Sequence, residues 1–185
     1  MEAIIIGGSA GSFEVILSIL KGLDKRLEIP IVIVLHRLKN SDSMLEFHLQ
    51  TQTHYIVKEA EDKEYMQKGF LYTVPADYHL LLEQNRRFSL DCSELVNFSR
   101  PSIDVVFESF SMVLKDKCCG VLLSGSNHDG ANGLKIIAEN GGKTIVHNLE
   151  EAKFNVMPKS AVGIYKKHSV ETLNNIIKIL NYELI

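Results

Sequence analysis

No run of about eighteen apolar residues occurs in the sequence, so no membrane-spanning helix is present in it and no membrane insertion is expected. Nor does a basic leader or small-residue cleavage site precede the strand-like Ala3–Ile6, so no secretory signal is expected and the cytoplasm is the expected location. Basic residues are not in excess. With 20 Lys and Arg against 23 Asp and Glu the formal charge is −3, whereas a nucleic-acid partner wants a basic face. Cysteine is scarce: Cys92, Cys118 and Cys119 show no C-x-x-C spacing and are expected to be buried structural thiols. His48 and His54 lie in polar surroundings, His79 starts a short strand and His147 ends one; none has paired metal-ligand spacing, and no metal or cofactor is expected. There are no repeats, low-complexity segments or linkers, so residues 1–185 are expected to form one domain, long enough to bury roughly 70% of its unfolded surface.

What is present is a recurrence of short apolar runs bounded by turns, with helical stretches between them. That pattern predicts a three-layer α/β/α domain around a mostly parallel, doubly wound sheet. Ala3–Ile6 is the first strand, and a helix over about 13–21 follows, capped by Ser12 and closed by Gly22. Ile31–Leu35 is a second, fully buried strand. A helix is expected over about 43–52 and a short strand at Tyr55–Val57. Residues 69–74, 79–82 and 88–90 form strand-like pieces that predict an antiparallel insertion. Next come a helix over 103–115, a strand at 120–123, a helix over 132–140 and a strand at 143–147. A C-terminal helix over 170–184, capped by Ser169, completes the pattern. The acidic run Glu59–Glu64 is expected to be a solvated loop face.

Three loops that leave buried strands carry chemistry. Ser9 lies in Gly7-Gly8-Ser9-Ala10-Gly11, a G-x-S-x-G turn of the kind that holds a hydroxyl nucleophile at strained backbone angles. His36 ends the second strand, and Asp129 follows the strand at 120–123. In an open parallel sheet the usable crevice lies beyond the carboxyl ends of the strands, which is where all three residues fall. A serine hydroxyl needs a histidine to take its proton, and that histidine needs a carboxylate to fix its tautomer. His128 is the competing base, but adjacent side chains seldom face one another, so His36 is preferred over a neighbour of Asp129. A dinucleotide fingerprint ending at Gly11 would need glycine where Ile6 stands. An α/β-hydrolase would need several strands ahead of its nucleophile, and only eight residues precede Ser9.

Several motifs, in order, extend this reading over nearly the whole chain: Gly7–Gly11, Ile31–His36, Val74-Pro75-Ala76-Asp77-Tyr78-His79-Leu80, Arg100-Pro101-Ser102-Ile103-Asp104, Leu123–Ala131 and Met157-Pro158-Lys159-Ser160-Ala161. Together they resemble the catalytic domain of the chemotaxis protein-glutamate methylesterases, the CheB family, without its receiver domain. The resemblance implies a Rossmann-like sheet with an antiparallel hairpin insertion. It also implies Ser9 as nucleophile, His36 as general acid and base, Asp129 as orienting carboxylate, and backbone N–H groups near Ala10 and Ser126 as oxyanion donors. The implied reaction is hydrolysis of glutamate γ-methyl esters on helical cytoplasmic regions of chemoreceptors, releasing methanol, with glutamine deamidation in some members and no cofactor.

The chain departs from the family pattern at two places. Ser12 stands where the family usually has glycine, and Ser124-Gly125-Ser126-Asn127 replaces the usual Thr-Gly-Met-Gly, so that Ser126 takes the place of a methionine. With nothing ahead of the first strand, the domain is expected to be open constitutively or regulated in trans by a separate protein. The rival class is a binding module in signalling that kept the scaffold while its pocket drifted. Met157-Pro158 is read either as a pocket wall or as a loop stop, and Arg100-Pro101-Ser102 either as functional or as a helix start.

Overall fold

The computed structural model describes residues 1–37 and 44–184. Its centre is β1 (Ala3–Gly8), buried along its whole length, which no exposed strand could be. Alternation in a strand sends Ala3 and Ile5 into one apolar layer and Ile4 and Ile6 into the other. Burying each isoleucine stabilises the sheet by roughly 1.5–3 kcal/mol.

On either side of β1 lie β2 (Ile31–Leu35) and β7 (Cys118–Leu122). Outward from β2 come β4 (Phe70–Thr73) and then β3 (Ile56–Glu59). Outward from β7 come β8 (Lys143–His147) and β9 (Ser169–Glu171). Every pairing in this seven-stranded sheet is parallel. The Ile4 layer is covered by α1 (Phe13–Gly22), α2 (Leu45–Gln50) and α6 (Leu173–Tyr182). The Ile5 layer is covered by α3 (Ile103–Leu114), α4 (Ala131–Glu139), α5 (Val156–Ile164) and the antiparallel hairpin of β5 (His79–Leu82) and β6 (Phe88–Asp91). The chain winds away from β1 in both directions, so the carboxyl ends of β1, β2 and β7 meet at one rim, where such folds open a crevice.

The expected α/β/α architecture with its hairpin insertion is present, and several local expectations are corrected. Residues 70–73 do not begin the antiparallel insertion; β4 pairs parallel with β2 and β3. Leu71 packs into one layer and Tyr72 into the other, and a strand apolar on both faces belongs inside a sheet covered by helices. The C-terminal helix begins at Leu173. Residues 169–171 pair with β8 as an edge strand, and Thr172, not Ser169, is the cap, its hydroxyl accepting from the Asn175 N–H at 3.3 Å. Gly22 is the last helical residue of α1, and the chain leaves extended at Leu23. Helix α2 is shorter than expected, and Ser43 lies outside the described residues. Cys118 and Cys119 are buried, but Cys92 is exposed. Met157-Pro158 is no loop stop: it lies in the first turn of α5, where proline's missing N–H sacrifices no hydrogen bond.

Candidate active site

Ser9 follows β1 directly. Its N–H donates to the Ser124 carbonyl at 2.9 Å, so strand-like pairing toward β7 continues through the serine. The expected strain is therefore displaced. Ser9 is not among the residues with positive φ; Gly11 is, at +77°, and it makes the reversal into α1. Ser12 occupies the cap position without capping. Its hydroxyl turns back and donates to the Ser9 carbonyl at 2.7 Å, tightening the loop beneath Ser9.

His36 follows β2, and its ring bridges the other two residues. Nδ1 lies 3.1 Å from Ser9 Oγ, and Nε2 lies 2.8 Å from Asp129 Oδ2. Asp129 is fully buried at the start of α3. Its Oδ2 also accepts from the Ile103 N–H at 2.7 Å. Oδ1 accepts from Ser102 Oγ and Asn97 Nδ2, both at 2.8 Å, and from the N–H groups of Asp104 and Gly130 at 3.1 Å. A helix start leaves N–H donors unpaired, and here a carboxylate from a distant loop fills the place of the local cap that Ser102 does not supply. His79 completes the arrangement, its Nδ1 accepting from the Ser102 N–H at 3.1 Å. Burial by itself would raise the Asp129 carboxyl, but hydrogen bonds from His36, Asn97, Ile103 and Ser102 outweigh it and hold the group below the usual carboxylate range. Asp129 is thus an anion facing an imidazole.

A cavity of about 470 Å³ opens beside Ser9, with Phe13, Leu35, Met44 and Leu45 forming its apolar wall. His48 belongs to this wall and packs edge-on to Phe13, not in the polar surroundings expected for it. Arg37 ties the rim together, donating to Glu46 at 3.1 Å and to the Val74 carbonyl at 3.2 Å. Opposite, the Gly125 N–H donates to the Phe154 carbonyl at 3.0 Å and Met157 N–H to the Gly125 carbonyl at 3.1 Å, which fixes the segment carrying Ser126. Among the described residues, the N–H groups of Ala10 and Ser126 take no part in backbone hydrogen bonds.

The chain is similar to known proteins over most of its length. A family model described as CheB methylesterase matches residues 4–180. The chain belongs to the CheB methylesterase family. As a member it is a methylesterase, a hydrolase acting on carboxylic esters. A Leptospira interrogans protein whose name pairs protein-glutamate methylesterase with protein-glutamine glutaminase is 44% identical over 96% of this chain and 92% of its own length. A Clostridium acetobutylicum protein named for the same pair is 30% identical over 95% of this chain, which spans 51% of that protein. The crystal structure of the Thermotoga maritima CheB methylesterase catalytic domain superposes with a TM-score of 0.93 at 32% identity, covering 100% of this chain and 98% of that one.

Of the residues singled out in the sequence, Ser9, His36 and Asp129 come together, while His128 is exposed and takes no part in their contacts. Asn97 and the cavity wall carried no signal in the sequence, whereas Ser102 and Asp104 lie in the Arg100–Asp104 motif and His79 in the Val74–Leu80 motif. Among the described residues no cluster of His, Cys, Asp or Glu has the makings of a metal site, and no helix is long and apolar enough to cross a membrane.

Proposed function

We propose that this methylesterase hydrolyses γ-methyl esters of glutamate side chains on helical cytoplasmic segments of chemoreceptors by a serine mechanism. The observation that carries the reading is the unbroken hydrogen-bonded chain from Ser9 Oγ through His36 Nδ1 and Nε2 to Asp129. Ser9 Oγ attacks the ester carbonyl while His36 Nδ1 takes its proton, and the anionic Asp129 stabilises the imidazolium that forms. The oxyanion is held by the N–H groups of Ala10 and Ser126. His36 then protonates the leaving methoxide, and methanol departs. Water, deprotonated by His36, attacks the acyl-serine; the imidazolium returns that proton to Ser9 Oγ, and a free glutamate remains. Replacing the methyl ester by a primary amide makes the leaving group ammonia, so the same residues serve glutamine deamidation. The names of the Leptospira and Clostridium relatives, which pair the two activities, support that extension.

The test is methanol release from a methylated receptor preparation. Ser9→Ala and His36→Ala are each expected to lower the rate by roughly 10⁴ to 10⁶. A Ser9→Ala protein working at the parent rate would overturn the mechanism. A fluorophosphonate probe that labels Ser9, with labelling blocked by His36→Ala, separates the esterase from a binding module with the same scaffold.

A further inference from the structure

Between the hairpin and α3 the chain reverses tightly, Val96 and Ser99 exchanging backbone hydrogen bonds of 3.2 and 3.0 Å. The residues at the corner, Asn97 and Phe98, both have positive φ, 53° and 60°. This corner delivers the Asn97 carboxamide between two carboxylates. Nδ2 donates to Asp129 Oδ1 and to Asp104 Oδ2, each at 2.8 Å, so both amide hydrogens are engaged. Asp104 is itself anchored, its Oδ1 accepting from the Gly133 N–H at 2.7 Å. Without the intervening donor, two buried carboxylates would face each other. Burial, with the charge of Asp129 adding to it, already pushes the Asp104 carboxyl up. Asn97 does not line the cavity beside Ser9; its contact with the three residues of the site is the hydrogen bond to Asp129 Oδ1.

We propose, resting on the serine mechanism above, that Asn97 is a positioning residue: it ties Asp129 Oδ1 to Asp104 and thereby aims Oδ2 at His36 Nε2. Oδ1 is the oxygen that His36 does not use, so a carboxylate gripped there cannot rotate about its Cβ–Cγ bond without breaking the amide bridge. Asp104 acts as the fixed post, held by α4 through Gly133.

The left-handed backbone lets the amide be tested apart from the turn. Glycine adopts positive φ more readily than asparagine, so Asn97→Gly keeps the corner and removes only the bridge. Asn97→Asp keeps shape and conformation but replaces the donor with a third acceptor. We expect Asn97→Gly to lower kcat for methanol release by roughly 10- to 100-fold while leaving KM unchanged, and Asn97→Asp to lose more at neutral pH. In a proton NMR spectrum, the resonance of the His36 Nε2–H should move in Asn97→Gly. An Asn97→Gly enzyme with parent kcat would overturn the proposal, because asparagine would then be serving the turn alone. A kcat that falls only with the folded fraction, while the His36 resonance stays in place, would overturn it too. Should Ser9→Ala instead leave methanol release intact, the mechanism falls, whereas the NMR signal still reports whether Asn97 aims Asp129.

Discussion

His36 meets Asp129 through Nε2, at 2.8 Å, and turns Nδ1 toward Ser9 Oγ. An ionised carboxylate only accepts hydrogen bonds, so Nε2 carries the proton and Nδ1 presents its lone pair to the serine. The two ring nitrogens therefore have the reverse of their assignments in the chymotrypsin-type triad, where Nε2 faces the serine. The reason lies in placement. His36 follows β2, the strand beside the one that leads into Ser9, and Asp129, in the loop after β7, meets the ring at the start of α3.

Asp129→Asn is expected to cost roughly 10⁴ in methanol release. An amide nitrogen facing His36 would force Nε2 to accept, leaving Nδ1 to point a hydrogen at Ser9. Turned the other way, it would face the donors Ser102 Oγ and Asp104 N–H, at a stability cost of about 1–3 kcal/mol. Nitrogen-15 NMR of His36 checks the premise: the parent should show the Nε2–H tautomer, and a rate within ten-fold of the parent's in the variant would remove Asp129 from the mechanism.

Gly133→Ala is expected to destabilise the fold by about 1–3 kcal/mol and to lower activity as well. A Cβ there would come within 2.7 Å of both the Asp104 carbonyl and Phe107 Cβ, where α4 crosses α3. Relief requires α3 to move, and its first N–H groups hold Asp129. Thermal melting together with methanol release tests this; a variant that loses stability but keeps its full rate would separate the helix start from the site.

Stability is expected to fall as pH drops from about 6.5 toward 4. Burial lowers His168 to about 4 in the fold, against an ordinary value of 6.5, so the unfolded chain takes up the proton first and is favoured across that window. The limit of the effect is roughly 3 kcal/mol. His147 is lowered by burial in the same sense, although Glu151, 3.4 Å from its Nε2, partly offsets it. Urea unfolding at pH 7 and pH 4.5 measures the difference. His168→Gln should flatten it, and an equally steep dependence in that variant would place its origin elsewhere.

Much of this is legible in the amino-acid sequence. Ala3–Ile6, Ile31–Leu35 and the run at 120–123 announce buried strands because a short, almost continuously apolar run suits a strand covered on both faces, although the third of these strands begins two residues earlier, at Cys118. Ser9 and His36 were legible because each directly ends such a strand. The same periodicity could not tell that residues 70–73 join the parallel sheet, since four apolar residues fit either pairing direction. A serine before a helix has backbone groups on both sides in reach, and the Ser12 hydroxyl bonds the Ser9 carbonyl and leaves the helix N–H groups uncapped.

By itself the sequence determined the local grammar: strands, helices, glycine turns and the three residue types that a serine esterase needs. Tertiary structure decided which nitrogen of His36 faces which partner, that Asp129 substitutes for a helix cap, and that Asn97 stands between two acids. Those outcomes depend mostly on contacts between residues far apart in the chain, such as Asp104 with Asp129, Asn97 with Asp129 and Ser9 with His36, made at 2.8 to 3.1 Å. Only the packed layers around the sheet set those distances.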